Sequence, residues 1–189
     1  MTERGPPPEL EAPPLRAPDF DSIFAAELDF VWRTLARFGV RDADLPDVTQ
    51  DVFVTLLDLL PDYDPTRPLR PWLVGIAYRI ALRYRSRAHV RREVFVDGPE
   101  RSAPSRMPDD DAELRQAQSI ARVALESIDP HRRAVFVMSE LEGFTMPEIV
   151  DAIGIPLNTA YSRLRVARQE FQRGVDAQLS DRAGLKRSR

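Results

Sequence analysis

Between Thr145 and Phe171 the chain reads TMPEIVDAIGIPLNTAYSRLRVARQEF, and its turn chemistry leaves few folds open. Thr145 and Glu148 have the spacing of a capping box, in which two side chains reciprocally satisfy free backbone N–H groups at a helix start. Pro147 falls in the first turn, where its missing N–H costs nothing. Ile149, Val150 and Ile153 supply an apolar side. Gly154 suits the left-handed conformation that ends a helix, and Pro156 blocks continuation. Asn158 is a good N-cap for the next helix. The stretch predicts a helix over about 146–153, a tight turn and a second helix from Asn158, the layout of a helix-turn-helix.

At about 100° per residue, Ala160, Leu164, Ala167 and Phe171 fall on one narrow stripe that must pack on the preceding helix. Ser162, Arg165, Val166 and Gln169 point the opposite way. Tyr161 and Arg168 lie on one flank, Arg163 and Glu170 on the other. A helix that enters the major groove needs a packed back, short polar and arginine side chains in front, and phosphate contacts at its edges. A solvated amphipathic helix could carry the same charges. The coincidence of turn chemistry with clustered arginines favours DNA reading.

Proline divides the remainder. Residues 1–18 hold six prolines and almost no large apolar side chain, and read as a disordered extension. Helical spacing follows from about Asp21 to Phe38, with Phe24, Leu28, Val31, Trp32, Leu35 and Phe38 three and four apart and Gly39 as the stop. A second helix is expected over about 44–60, with Asp44 as N-cap and Pro46 in its first turn. PDYDPTRPLRP then breaks the pattern with four prolines, and a third helix runs from near Pro71 to about Arg92. The stretch 97–111 reads as a flexible linker. Beyond it lie helical segments near 112–127 and 130–141, ahead of the helix-turn-helix. The fold class is all-α: two small helical domains, over 19–96 and 112–173, joined by that linker. Residues 174–189 form a basic tail, whose GLKRSR end is assigned to disorder by default.

Several function classes fall away. With no cysteine, disulfides and thiolate metal sites are excluded, and the two histidines, His89 and His131, show no ligand spacing. No apolar run approaches the roughly 18 residues of a membrane span, and the start lacks a signal-peptide pattern. The expectation is a cytoplasmic protein without metal, cofactor or membrane insertion. A Walker motif, a Ser/Cys–His pairing and an acidic metal constellation are all missing, so no catalytic residue is assigned and the chain reads as no enzyme.

The net charge of −3 conceals a division: residues 1–64 carry −9, whereas residues 65–92 hold eight arginines and no acid. On the second helix Val48, Val52, Thr55, Leu56 and Leu59 share the inward face. The opposite face, Asp47, Gln50, Asp51, Val54, Leu57 and Asp58, mixes acids and an amide with aliphatics. That mixture fits either a surface for an arginine-rich protein partner or a solvated face. The third helix interleaves Trp72, Tyr78 and Tyr84 with Arg79, Arg83, Arg85, Arg87, Arg91 and Arg92. Rings for stacking and guanidiniums for phosphates suit opened nucleic acid, although i, i+4 spacing makes Trp72 and Ile76 core candidates. No nearby acid in sequence pairs these arginines, which favours an anionic partner.

In this order and spacing, DLPDVTQDVFVTLLDLLPDYDPTRPLRPWLVGIAYRIALRYRSR followed by IDPHRRAVFVMSELEGFTMPEIVDAIGIPLNTAYSRLRVARQEF resembles the sigma factors of bacterial RNA polymerase. The resemblance is to their small extracytoplasmic-function group and covers about residues 20–173. It implies promoter-specific initiation, with core RNA polymerase (the clamp helices of its largest subunit, and its flap) and promoter DNA as partners. Asp47, Gln50, Asp51 and Val54 would meet the clamp helices. Tyr63, Asp64, Arg67 and Leu69 would capture the −10 element, and Arg79 and Arg83 would hold the melted strand. Tyr161, Ser162, Arg165, Val166 and Gln169 would face −35 bases, with Arg163 and Arg168 on the phosphates. Asn158, Thr159 and Ala160 replace the family's usual Gly-Thr-Val, and Arg79 and Arg83 replace its common Asn and Asp. An anti-sigma factor is a further partner that the resemblance admits. The alternative is a stand-alone helix-turn-helix regulator that binds an operator without polymerase.

Overall fold

The computed structural model describes the backbone of residues 19–94 and 112–187 and the side chains of residues 19–87 and 113–181. The expectations for 1–18 and for the 97–111 linker lie outside the described residues, as do the side chains of Arg91 and Arg92. Among the described residues every regular element is helical.

The first half holds α1 (Phe20–Arg37), α2 (Leu45–Leu59) and α3 (Leu69–Val94). Asp19 caps α1 by accepting from the Ser22 amide at 3.0 Å, and Gly39 ends it with φ of +88°. Asp44 sits at the N-cap position of α2, but its carboxylate makes no capping bond and goes to Arg41 and the Tyr84 hydroxyl instead. The core forms where α1, α2 and α3 meet, around Val31, Leu35, Val52, Leu56, Leu73 and Ile76. Glu27, nearly buried on α1, is met there by Arg70 of α3 at 2.9 Å, and the guanidinium also covers the Phe30 ring at 4.9 Å. The pairing offsets part of the cost of burying that carboxylate.

The second half comprises α4 (Ala112–Glu126), α5 (Pro130–Phe136), α6 (Met146–Ile153) and α7 (Leu157–Arg187). The segment expected over 130–141 stays α-helical only to Phe136. A π-turn then covers Val137–Leu141, with the Glu142 amide bonded to the Val137 carbonyl at 3.0 Å. The wider turn keeps Val137 and Met138 inward.

Two expectations need correction at α7. The helix begins at Leu157, and its first backbone bond runs from the Ala160 amide to the Pro156 carbonyl, so Asn158 stands in the first turn and is not the cap. Nor does the helix stop before the GLKRSR end. It continues to Arg187, because its middle packs along α4: a Cβ on Gly174 would lie 2.9 Å from the Ala124 Cα. Burial against a neighbouring helix supplies what the polar sequence of the tail lacks.

The two halves also lie against each other. α3 packs on α6, and the buried side chains of both halves form one continuous cluster. Gly75 of α3 makes the approach possible, since a Cβ there would be 2.3 Å from the Ala152 carbonyl oxygen.

Candidate nucleic-acid and polymerase interfaces

The helix-turn-helix is built as its turn chemistry requires. Glu148 accepts from the Thr145 amide at 2.7 Å, and the Glu148 amide reaches back to the Thr145 hydroxyl at 3.5 Å. Gly154 closes α6 at φ +70°, ψ +46°. Thr145→Ala is expected to lower stability by about 1 kcal/mol, read as a lower urea midpoint with an unchanged slope.

On α7, Ala160, Leu164 and Ala167 are buried, and Phe171 stacks on Phe136 with centroids 5.0 Å apart. The face opposite is open: Tyr161 is 55% exposed, Ser162, Arg165 and Gln169 are exposed, and Val166 is half-buried between them. The flanks are engaged within the protein. Arg168 holds Glu140 at 2.6 Å. Arg163 is half-buried, with one guanidinium nitrogen buried and without a hydrogen-bond partner, near enough to Tyr78 to pull its pKa down. In this arrangement Arg163 does not stand on the outer edge where a phosphate contact would need it.

The loop after α2 is folded on itself. Thr66 donates its amide and hydroxyl to the Asp64 carboxylate at 2.9 and 2.7 Å, which lowers the Asp64 pKa. Tyr63 lies over Trp72, ring centroids 4.6 Å apart, and its hydroxyl donates to the Arg67 carbonyl. Leu69 turns into the core as the first residue of α3. Trp72 is half-buried and Ile76 fully buried, in keeping with the core reading.

The remaining aromatics of α3 are not free stacking platforms. Tyr78 is buried with its hydroxyl 2.7 Å from Nδ1 of His131, and burial raises its pKa against the pull of Arg163. Tyr84 bonds Asp44. Arg67, Arg79 and Arg83 are all exposed; Arg79 also donates to the Ala152 carbonyl at 3.1 Å, and Arg67 pairs with Asp151. Arg79, with no acid near it in sequence, thus finds an acceptor on a distant helix.

On α2, Asp47, Gln50, Asp51 and Asp58 are exposed, as are Val54 and Leu57 at 53% and 52%. Leu59, expected inside, is 38% exposed and Thr55 is half-buried. Gln50, Val54 and Leu57 border an apolar groove of about 400 Å³ whose other wall is Phe24, Leu28 and Trp32 of α1. The sequence signal for it was an apolar stripe on α1 too wide for one helix to bury.

Comparison with known proteins decides what carries this geometry. Residues 23–91 match the family model for sigma-70 region 2, and residues 119–171 match that for sigma-70 region 4. RNA polymerase sigma factor CnrH of Cupriavidus metallidurans is 30% identical over 152 residues, covering 74% of this chain and 78% of that protein. The chain belongs to the sigma-70 family, in its extracytoplasmic-function group. ECF RNA polymerase sigma factor SigE of Mycolicibacterium smegmatis is 27% identical to this sigma factor over 158 residues, 82% of this chain and 61% of that one. The structure of CnrH in complex with the cytosolic domain of CnrY superposes with a TM-score of 0.58 at 26% identity, over 84% of this chain and 88% of that one. The sigma factor RpoE of Bartonella quintana, in complex with the anti-sigma factor NepR, shares the fold with a TM-score of 0.65 at 17% identity, over 84% of this chain and 97% of that one. These matches favour a sigma factor over a stand-alone regulator. No helix among the described residues is long and apolar enough to cross a membrane, and no cluster of carboxylates or histidines there could hold a metal ion.

Proposed function

We propose that this sigma factor acts in the cytoplasm as a dissociable specificity subunit that performs no covalent chemistry, and that its surfaces divide the labour of initiation. Asp47, Gln50, Asp51 and Val54 dock on the clamp helices of core RNA polymerase. Tyr63, Asp64, Arg67 and Leu69 form the −10 capture loop, beside Arg79 and Arg83 for the melted strand. Tyr161, Ser162, Arg165, Val166 and Gln169 read the −35 major groove, with Arg168 and Arg163 released to phosphates on binding. The observation that carries this reading is the pair of open faces on opposite halves. One is an apolar groove between α1 and α2, on whose second helix Asp47 and Asp51 are also exposed, suited to a protein; the other is an arginine and polar face on α7, suited to base edges. An anti-sigma factor is proposed as a further partner: RpoE was solved in complex with the anti-sigma factor NepR, and CnrH in complex with the cytosolic domain of CnrY.

Arg165 tests the DNA half. Arg165→Ala in the holoenzyme should weaken binding to the cognate −35 element by about 1–3 kcal/mol and relax selectivity at one base pair. Competition against duplexes mutated through the −35 element reads both. An equal loss on every duplex would make Arg165 a phosphate contact and remove it from the base-reading set.

A further inference from the structure

The groove between α1 and α2 gathers large apolar side chains that the fold itself leaves uncovered. Phe24 and Trp32 of α1 are 39% and 38% exposed, and Val54 and Leu57 of α2 are 53% and 52% exposed. Only Thr49 and Gln50 interrupt the apolar lining. A contiguous patch of this kind marks a binding surface.

One end of the groove is aromatic. Phe20 stacks on Phe24 with centroids 6.0 Å apart, and Phe53 meets the two rings edge-on at 6.4 and 4.7 Å. Trp32 adds a fourth ring further along α1. Aromatic grooves take proline-rich chain, because such chain is already extended and loses little entropy when its rings pack on aromatic faces.

A proline-rich sequence is attached at that aromatic end. Residues 5–18 read GPPPELEAPPLRAP and run directly into Asp19, the N-cap of α1, and Phe20, which lines the groove. Leu10 and Leu15 are spaced among the prolines. From Phe20 to Trp32 the groove follows α1 for about 18 Å, at 1.5 Å per residue. Proline-rich chain covers that length in about six residues at 3.1 Å each. The segment is therefore long enough to turn back at Asp19 and run the whole groove, with Leu15 on its aromatic end and Leu10 toward Trp32. A ligand tethered beside its site meets it at an effective concentration on the order of millimolar, so even weak contacts suffice.

We propose that residues 5–18 are the occupant of this groove in the free protein, an internal ligand that core polymerase displaces when it binds. Gln50 and Val54, assigned above to the clamp helices, line the same groove, so the competition rests on that docking role. While the segment is seated, the apparent affinity for core polymerase falls by the fraction of molecules whose groove is open.

The chain has two tryptophans and no cysteine. Trp72→Phe leaves Trp32 as the sole reporter, inside the groove, and Ala12→Cys carries a nitroxide on the segment, where it quenches tryptophan at contact range. In the full-length protein Trp32 should be quenched by this label, equally at all protein concentrations, and adding Leu10→Ser with Leu15→Ser should restore most of the emission. In the otherwise native chain the same two serines, both ahead of α1, should tighten binding to core polymerase on the order of fivefold. Unquenched Trp32, or quenching that fades on dilution as it would for a second copy, would overturn the proposal. So would quenching with no gain in polymerase binding. Alanine at Asp47, Gln50 and Asp51 tells the failures apart. Polymerase binding lost in that variant but unmoved by the serines rejects only the internal ligand, whereas binding that survives the alanines rejects the docking surface itself.

Discussion

Alanine at Asp47, Gln50 and Asp51 together should cost this sigma factor roughly a hundredfold or more in affinity for core RNA polymerase, while leaving it folded. The three side chains are exposed on α2, and Gln50 lines the apolar groove together with Val54 and Leu57. Polar groups that rim an apolar centre fix orientation and exclude water, and about 2 kcal/mol or more is typical for a residue that anchors such a contact. Two modest contributors suffice for a hundredfold change, since each 1.4 kcal/mol is about tenfold. The fold should barely notice. Asp47 alone has a structural role, in the first turn of α2, where a carboxylate is worth about 0.3–1 kcal/mol against the helix dipole. Titration of labelled sigma factor with core polymerase measures the loss, and thermal unfolding of the free protein supplies the control. Undiminished binding by the triple variant would move the docking surface off this face.

The second large effect is on stability and concerns Arg133, which is 1% exposed. Its Nη2 donates to the carbonyls of Glu126 at 2.6 Å and Ile128 at 3.0 Å, and Nη1 reaches that of Phe38 at 3.4 Å. Glu126 ends α4 and Phe38 is the C-cap of α1, so one guanidinium sits where two helix C-termini converge. Two negative dipole ends offset much of the cost of burying the charge. Burial and the neighbouring Arg85 pull the Arg133 pKa down to about 10, which still leaves the group charged at neutral pH. Arg133→Ala removes the donors and opens a cavity, and should cost about 3–5 kcal/mol in urea unfolding. Arg133→Met refills most of the volume and should cost less, the difference isolating the cavity. An Arg133→Ala midpoint equal to wild type would show that the network contributes nothing.

How far the fold and its surfaces were legible in the sequence depends on the range of the interactions. The capping box at Thr145 and Glu148, the left-handed Gly154 and the buried stripe from Ala160 to Phe171 are all set within a few residues, and each is as the spacing required. The exposed acids and aliphatics of α2 were legible for the same reason. Errors arose where distant partners decide. Asp44 gave up its capping bond to Arg41 and to Tyr84, 40 residues away. The tail beyond 173 became helix because α4 lies beside it, which no local pattern reveals. Arg67, with Asp64 only three residues before it, pairs instead with Asp151, 84 positions on. Arg133 carried no signal at all, since an arginine in an amphipathic helix reads as surface until its neighbours are known.

The ion pair between Arg67 and Asp151 is itself mostly open to water, with its two side chains 56% and 62% exposed. Exposed pairs of this kind are worth about 0–1 kcal/mol and are screened by salt over roughly 8 Å at physiological ionic strength. The seam at Gly75 and the arginine buried at the helix ends are shielded from mobile ions. Raising salt should therefore leave the two halves together while it weakens the grip of the arginine faces on DNA, which falls steeply with ionic strength. Ionic strength then acts on this molecule chiefly through promoter occupancy and little through its shape.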